Sequence, residues 1–144
     1  MPHPSAIIVH LLRHAMMQTM ATLAITHENI EAVIAGNDTV IFDFWASWCG
    51  PCRTFAPIFE AASEKYPHIV FGKIDTEVER DIAGYFEIRS IPTIMLFREK
   101  VMLFSQPGAM TAEGLDSVIE QARGLDMVKV HHEIAAEAAD EPRP

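Results

Sequence analysis

Residues 40 to 46 read VIFDFWA, six apolar side chains around a single acid. The run shows no alternation and is rich in branched and aromatic residues. Such a strand has to be covered on both faces. It predicts a central β-strand with further structure above and below it. The acid, Asp43, falls in the middle of that strand.

The flanking segments supply the layers. LAI at 23 to 25 is a short strand candidate, and Thr26 offers a cap for a helix to about Ala35, stopped by Gly36-Asn37-Asp38. After the central strand, Pro51 suits the first turn of a helix reaching about Tyr66. Phe55, Ile58, Phe59 and Ala62 recur in it at helical spacing, and Pro57 should kink it. IVFGKID at 69 to 75 predicts a third strand. Residues 77 to 86 predict an acidic helix with Val78, Ile82 and Phe86 on one face. TIMLF at 93 to 97 and VMLFS at 101 to 105 predict a hairpin, joined by the short REK link. Thr111 caps a last helix through about Arg123, with Leu115, Val118 and Ile119 inward and Gly124 at its end.

Strands and helices alternate in the first half, which gives parallel crossovers, and the final hairpin adds antiparallel strands. The expected fold is α/β: a mixed sheet of about five strands with helices on both faces. Residues 21 to 125 form this domain. Residues 1 to 20 lack its periodicity and read as an extension, either a loosely docked arm or a stretch upstream of a start at Met20. Charge inside their apolar part argues against a secretory signal. Met16, Met17 and Met20 could suggest copper handling, but plain arm residues explain them better. Residues 126 to 144 form an acidic tail, read as mobile or as a continuation of the last helix.

The formal net charge of −9 argues against nucleic acid and anionic membranes, which call for clustered Lys and Arg. No apolar run approaches the roughly 20 residues that span a bilayer. The chain has two cysteines, too few for a disulfide scaffold. A zinc site would need a second ligand pair, and His131 and His132 are adjacent, a poor geometry for chelation. No metal and no bound cofactor are expected.

Those two cysteines are Cys49 and Cys52, in WCGPC, between the central strand and the next helix. A helix N-terminus presents free N–H groups and positive partial charge, which favours a thiolate. Cys52 lies one turn further on, so the two sulfurs are in reach of one another. Gly50 allows tight backbone, and Pro51 stiffens the link. Cys49 is expected to be the exposed attacker and Cys52 the buried resolver. A static disulfide is the rival reading, but closing so small a loop constrains little of the unfolded chain. Asp43 should be costly to bury charged, so its pKa should rise toward a value useful to a base. A hydrogen-bonded structural acid is the alternative.

FDFWASWCGPCRTFAPIFE closely resembles the active-site segment of thioredoxins. The likeness continues in GKIDTE at 72 to 77, IRSIPTIMLF at 88 to 97 and PGAMT at 107 to 111. RTFAPIFE and IRSIPTIM look most like the bacterial thioredoxin-2 branch, without that branch's N-terminal zinc module. The resemblance implies a thioredoxin fold, with Cys49 as nucleophile and Cys52 as resolving cysteine. It implies that Asp43 deprotonates the resolving thiol, with Lys73 beside it. It also implies a cis peptide at Pro92, facing the disulfide. Trp48, Gly50, Ile91, Pro92, Gly108 and Ala109 would form the apolar platform that receives partner proteins, with Trp45 packed beneath. A surface position for Lys73 and a plain core role for Trp45 are the alternatives. Two departures stand out: Glu87 where thioredoxins usually have Gly, and REK in place of the usual Lys-Asn-Gly turn.

The expected activity is reduction of protein disulfides, with re-reduction by a thioredoxin reductase. The protein is expected to be cytoplasmic and monomeric. A disulfide oxidase or isomerase of an oxidising compartment is the alternative enzyme, and a redox-silent interaction module the alternative outside enzymes.

Overall fold

The computed structural model describes residues 21–142. Strand β1 (Thr22–Ala24) leads through helix α1 (Ile30–Gly36) to strand β2 (Thr39–Trp45). Helix α2 (Gly50–Lys65), strand β3 (Val70–Asp75) and helix α3 (Arg80–Tyr85) follow. Strands β4 (Thr93–Arg98) and β5 (Val101–Pro107) then precede helices α4 (Ala112–Arg123) and α5 (Met127–Asp140). The extension read over residues 1 to 20 lies outside the described residues.

The five strands form one sheet in the order β1-β3-β2-β4-β5. β1 and β2 both run parallel to β3, while β4 is antiparallel to β2 and β5 to β4. β2 is therefore central, and it is buried from Thr39 to Phe44. Alternation sends its side chains to two separate cores. Ile41 packs with Phe55 and Phe59 of α2 and with Leu115 and Ile119 of α4. Phe42 and Phe44 pack on the other side, with Ile82 of α3 and with Ile30 and Ile34 of α1. Full burial of each such phenylalanine stabilises the fold by roughly 1.5–3 kcal/mol. Asp43 shares the face of Ile41, beneath α2 and α4.

The structure corrects three boundaries. Thr26 does not cap α1, which starts at Ile30. Instead the Asn29 side chain closes a turn, accepting from the Thr26 N–H at 2.8 Å and donating to the Ala24 carbonyl at 2.9 Å. The helix expected over 77 to 86 shrinks to Arg80–Tyr85, and Val78 is 72% exposed. Residues after β3 are drawn into a turn instead, closed by the Glu79 N–H on the Asp75 carbonyl at 2.8 Å. The acidic tail is largely helical: Asp126 caps α5 by accepting from the Lys129 N–H at 3.2 Å, and Met127 is buried. The Arg98 guanidinium donates to the carbonyls of Ala122, Arg123 and Leu125, which fixes the break between α4 and α5. α2 continues through Pro57 as one helix.

Both departures from the usual turn residues sit in left-handed backbone. Glu99 and Lys100, at φ 49° and 67°, form the two-residue hairpin turn between β4 and β5. Glu87, at φ 54°, ends α3. Its N–H donates to the Gly84 carbonyl and that of Ile88 to the Ala83 carbonyl, the paired bonds of a Schellman stop.

Candidate active site

The parallel strands β2 and β3 end at Trp45 and Asp75, which are register partners. Ligand and reaction sites of α/β sheets gather at such carboxyl ends. The chain leaves β2 through Ala46, Ser47 and Trp48 and enters α2 with Cys49 as its N-cap. Cys49 and Cys52 are joined as a disulfide, with Cα atoms 5.2 Å apart. The Cys52 N–H donates to Cys49 Sγ at 3.2 Å, so a helix-terminal donor points at the first sulfur. The same donor would stabilise negative charge on that sulfur after reduction.

A second loop closes over the pair. The Ile91–Pro92 peptide is cis, and the Ile91 carbonyl oxygen lies 3.7 Å from Cys49 Sγ. Ile91 and Trp45 pack against the cluster of Ala46, Cys49 and Cys52. Gly108, at φ 102°, donates its N–H to the Pro92 carbonyl at 2.7 Å, joining the third loop to the second. Its positive φ suits glycine. Ala109 beside it is exposed, as is Trp48.

These features are those of one family. The thioredoxin model matches residues 21–121. The chain belongs to the thioredoxin family. It is 47% identical over 119 residues to a Streptomyces coelicolor protein named as a thioredoxin 2, covering 83% of this chain and 89% of the relative. It is 32% identical to thioredoxin C-3 of Corynebacterium nephridii, covering 77% and 80%. A solved variant thioredoxin from Halobacterium salinarum superposes with a TM-score of 0.68 at 28% identity, covering 74% of this chain and 96% of that one. With the redox disulfide in place, this thioredoxin is a thiol–disulfide oxidoreductase acting on protein disulfides.

The exposure expected of Cys49 is not seen. In the disulfide Cys49 is 4% exposed and Cys52 3%, so burial does not distinguish them. What distinguishes them is position: Cys49 faces the Cys52 N–H and the Ile91 carbonyl loop, while Cys52 lies within α2. Gly50 and Pro51 form the first turn of that helix.

Asp43 is fully buried on the face that also carries Trp45, two residues nearer the disulfide. Neither of its carboxyl oxygens has a hydrogen-bond partner among the described residues, so the structural-acid alternative lacks its bonds. Burial pushes its pKa up to about 7, against a smaller downward pull from the Lys73 charge. Lys73 is no free surface residue: it is the register partner of Asp43, half-buried, and its ammonium sits 5.1 Å from the centre of the Trp45 ring.

Two residues escaped the sequence reading. The Thr76 N–H and hydroxyl both donate to the Trp45 carbonyl, at 2.9 and 3.0 Å. Glu77 accepts from Trp48 Nε1 at 2.8 Å. Their signal was their place, polar residues directly after a parallel strand that ends beside the redox strand. An apolar groove lined by Ile30, Ile34, Tyr85 and Phe97 lies over the opposite face of the sheet and is remote from this chemistry.

Proposed function

We propose that this thioredoxin reduces disulfides of other proteins by the two-cysteine exchange, drawing its electrons from a thioredoxin reductase. The Cys49 thiolate attacks one sulfur of a substrate disulfide. A Cys49–substrate disulfide forms, the substrate bond breaks, and the departing sulfur takes a proton. Asp43 takes the proton of the Cys52 thiol. The Cys52 thiolate then attacks Cys49 Sγ and releases the second substrate thiol. Two electrons have passed to the substrate, and the Cys49–Cys52 disulfide is regenerated. The reductase returns two electrons to it.

The supporting observation is the Cys52 N–H aimed at Cys49 Sγ, which makes that sulfur the better thiolate for attack and the better leaving group on re-reduction. The buried Asp43, with a pKa raised to about 7 chiefly by desolvation, supports a base working near neutrality, and Lys73 tunes it. Trp48, Gly50, Ile91, Gly108 and Ala109 receive the substrate; Pro92, expected among them, is buried, and its cis peptide sets the Ile91 carbonyl beside Cys49 Sγ. Trp45 supports the motif from below. The protein works as a monomer in the cytoplasm, where the reductase keeps the pair reduced. Among the described residues no helix is long and apolar enough to cross a membrane.

Reduction of insulin coupled to thioredoxin reductase and NADPH tests this directly. Steady NADPH oxidation that requires both cysteines is expected. Absence of turnover with both thiols intact would overturn the proposal.

A further inference from the structure

The turn after β3 holds both tryptophans of the chain. Thr76 binds the Trp45 carbonyl twice, through its N–H and its hydroxyl. Glu77, the next residue, accepts from the Trp48 indole N–H across 29 positions of sequence. Its own backbone is fixed, because its N–H donates to Asp75 Oδ1 at 3.0 Å and its carbonyl accepts from Arg80 Nε at 3.2 Å.

Trp48 needs such a hold. Its side chain is 65% exposed, and packing alone leaves an exposed indole several orientations. The bond to Glu77 selects one. It uses Oε1 alone. Oε2 lies 3.9 Å from Arg80 Nη2, the outer limit of an ion pair, with Glu77 half and Arg80 four-fifths exposed. An ion pair this long and wet neutralises little charge. A carboxylate therefore stands beside the exposed Trp48 indole, with one oxygen open to a docking partner.

We infer that Glu77 is a specificity-determining residue of the disulfide reduction: through Oε1 it fixes the plane of Trp48, and through Oε2 it favours substrates carrying Lys or Arg beside their disulfide. The inference rests on the proposal that Trp48 belongs to the receiving face. Rim charges act on encounter and on partner choice more than on the chemical step. The effect belongs in the half-saturating substrate concentration, not in the limiting rate.

The test uses two disulfide-bridged peptides that differ only in the residues flanking the bridge, lysines in one and glutamates in the other. Their single-turnover reduction by the dithiothreitol-reduced full-length protein is followed against peptide concentration. The natural protein should prefer the lysine peptide at low ionic strength. Glu77→Gln keeps an oxygen for the indole but loses the charge. It should lower that preference by about three- to fivefold, as expected for one exposed charge pair, with the change in half-saturation. High salt should erase the difference between the two proteins. Glu77→Ala should in addition shift the Trp48 indole N–H resonance and speed its solvent exchange, whereas Glu77→Gln should leave it near its natural position. An unchanged preference in Glu77→Gln, or an unchanged indole signal in Glu77→Ala, overturns the inference. Trp48→Ala separates the two levels. If it leaves both half-saturations unaltered, the receiving face falls, and the role of Glu77 with it. If it weakens both peptides while Glu77→Gln keeps the lysine preference, the face stands and only the role of Glu77 falls.

Discussion

Asp43 and Lys73 are direct partners in the parallel β2–β3 ladder and share one face of the sheet, yet their charged ends do not pair. The ammonium lies over the Trp45 ring, and the carboxyl is left in the core with no donor. A contact ion pair would hold the acid ionised throughout the neutral range. Separation leaves desolvation the larger effect, and the pKa settles at about 7. The arrangement keeps a proton acceptor half-charged at neutral pH, on the strand that leads into the cysteine motif.

Asp43 should make the oxidised protein less stable as pH rises. The folded-state pKa of about 7 lies above the ordinary 3.8, so between those values the native state holds a proton that the unfolded state has released. Stability is therefore greatest below about pH 4 with respect to this group. It falls by up to about 1.4 kcal/mol per pH unit toward pH 7 and levels off above it. Asp43→Asn should remove this slope and be the more stable protein at pH 8. It should also slow release of mixed disulfides more than their formation. Denaturant midpoints measured from pH 5 to 8 check the first claim. Parallel curves for the two proteins would refute it.

Lys73→Met should raise the Asp43 pKa further, because the lysine charge is what pulls it down. The carboxyl carbon resonance of Asp43, followed through a pH titration, should move its midpoint above that of the natural protein. The pH dependence of the resolving step should move with it. A midpoint that stays or falls would mean that the ammonium 5.1 Å from the Trp45 ring centre is electrostatically silent at Asp43.

The central strand, the alternation of elements and the cysteine pair were legible because each is local: VIFDFWA carries its own double-sided burial, and WCGPC its own helix start. The cis peptide at Pro92 was legible only by resemblance, since about 5% of X–Pro bonds in folded proteins are cis. What escaped depends on chain segments meeting in space. Val78 fits a helical face by spacing, but the residues around it are recruited to hold Trp45. Glu77 shows no pattern of its own, and its role appears only where it meets Trp48. The burial of Cys49 depends on the Ile91 loop, 42 residues away. The helical tail could have been read from Asp126, an N-cap residue before a stretch rich in alanine and glutamate.

Two backbone positions should respond in opposite directions. Glu87 ends α3 at φ 54° with its side chain exposed, so glycine should relieve the left-handed strain at little loss of contact. After the entropy that glycine adds to the unfolded chain, a gain of about 0.5–1 kcal/mol is expected for Glu87→Gly. Gly72, in β3, has no such freedom. A Cβ there would lie 2.5 Å from Ile25 Cγ1 and 2.8 Å from Phe42 Cδ1, both on buried side chains. Gly72→Ala should cost about 1–3 kcal/mol by overpacking. Thermal unfolding should show a small rise for the first and a clear drop for the second. A stabilised Gly72→Ala would show that this core yields more readily than its packing implies.

Replacing the two cysteines singly should separate their roles, although their burial is equal in the disulfide. The asymmetry lies in what surrounds each sulfur. Cys49 receives the Cys52 N–H and faces the Ile91 carbonyl. Cys52 sits in the first turn of α2 and, among the described residues, has no such donor of its own from that turn. In Cys52→Ser the backbone N–H at position 52 is retained, so Cys49 keeps its stabilising donor and still attacks. Nothing then releases the adduct. Mixed disulfides with substrate proteins should accumulate as dithiothreitol-sensitive bands on a non-reducing gel. Cys49→Ser leaves its single thiol without that donor, and few adducts should form. Both variants should fold, since serine is close to cysteine in size and so short a disulfide loop contributes little stability. Equal trapping by the two variants would reverse or abolish the assignment of attacker and resolver. Trapping by neither, with both folded, would remove the exchange mechanism itself.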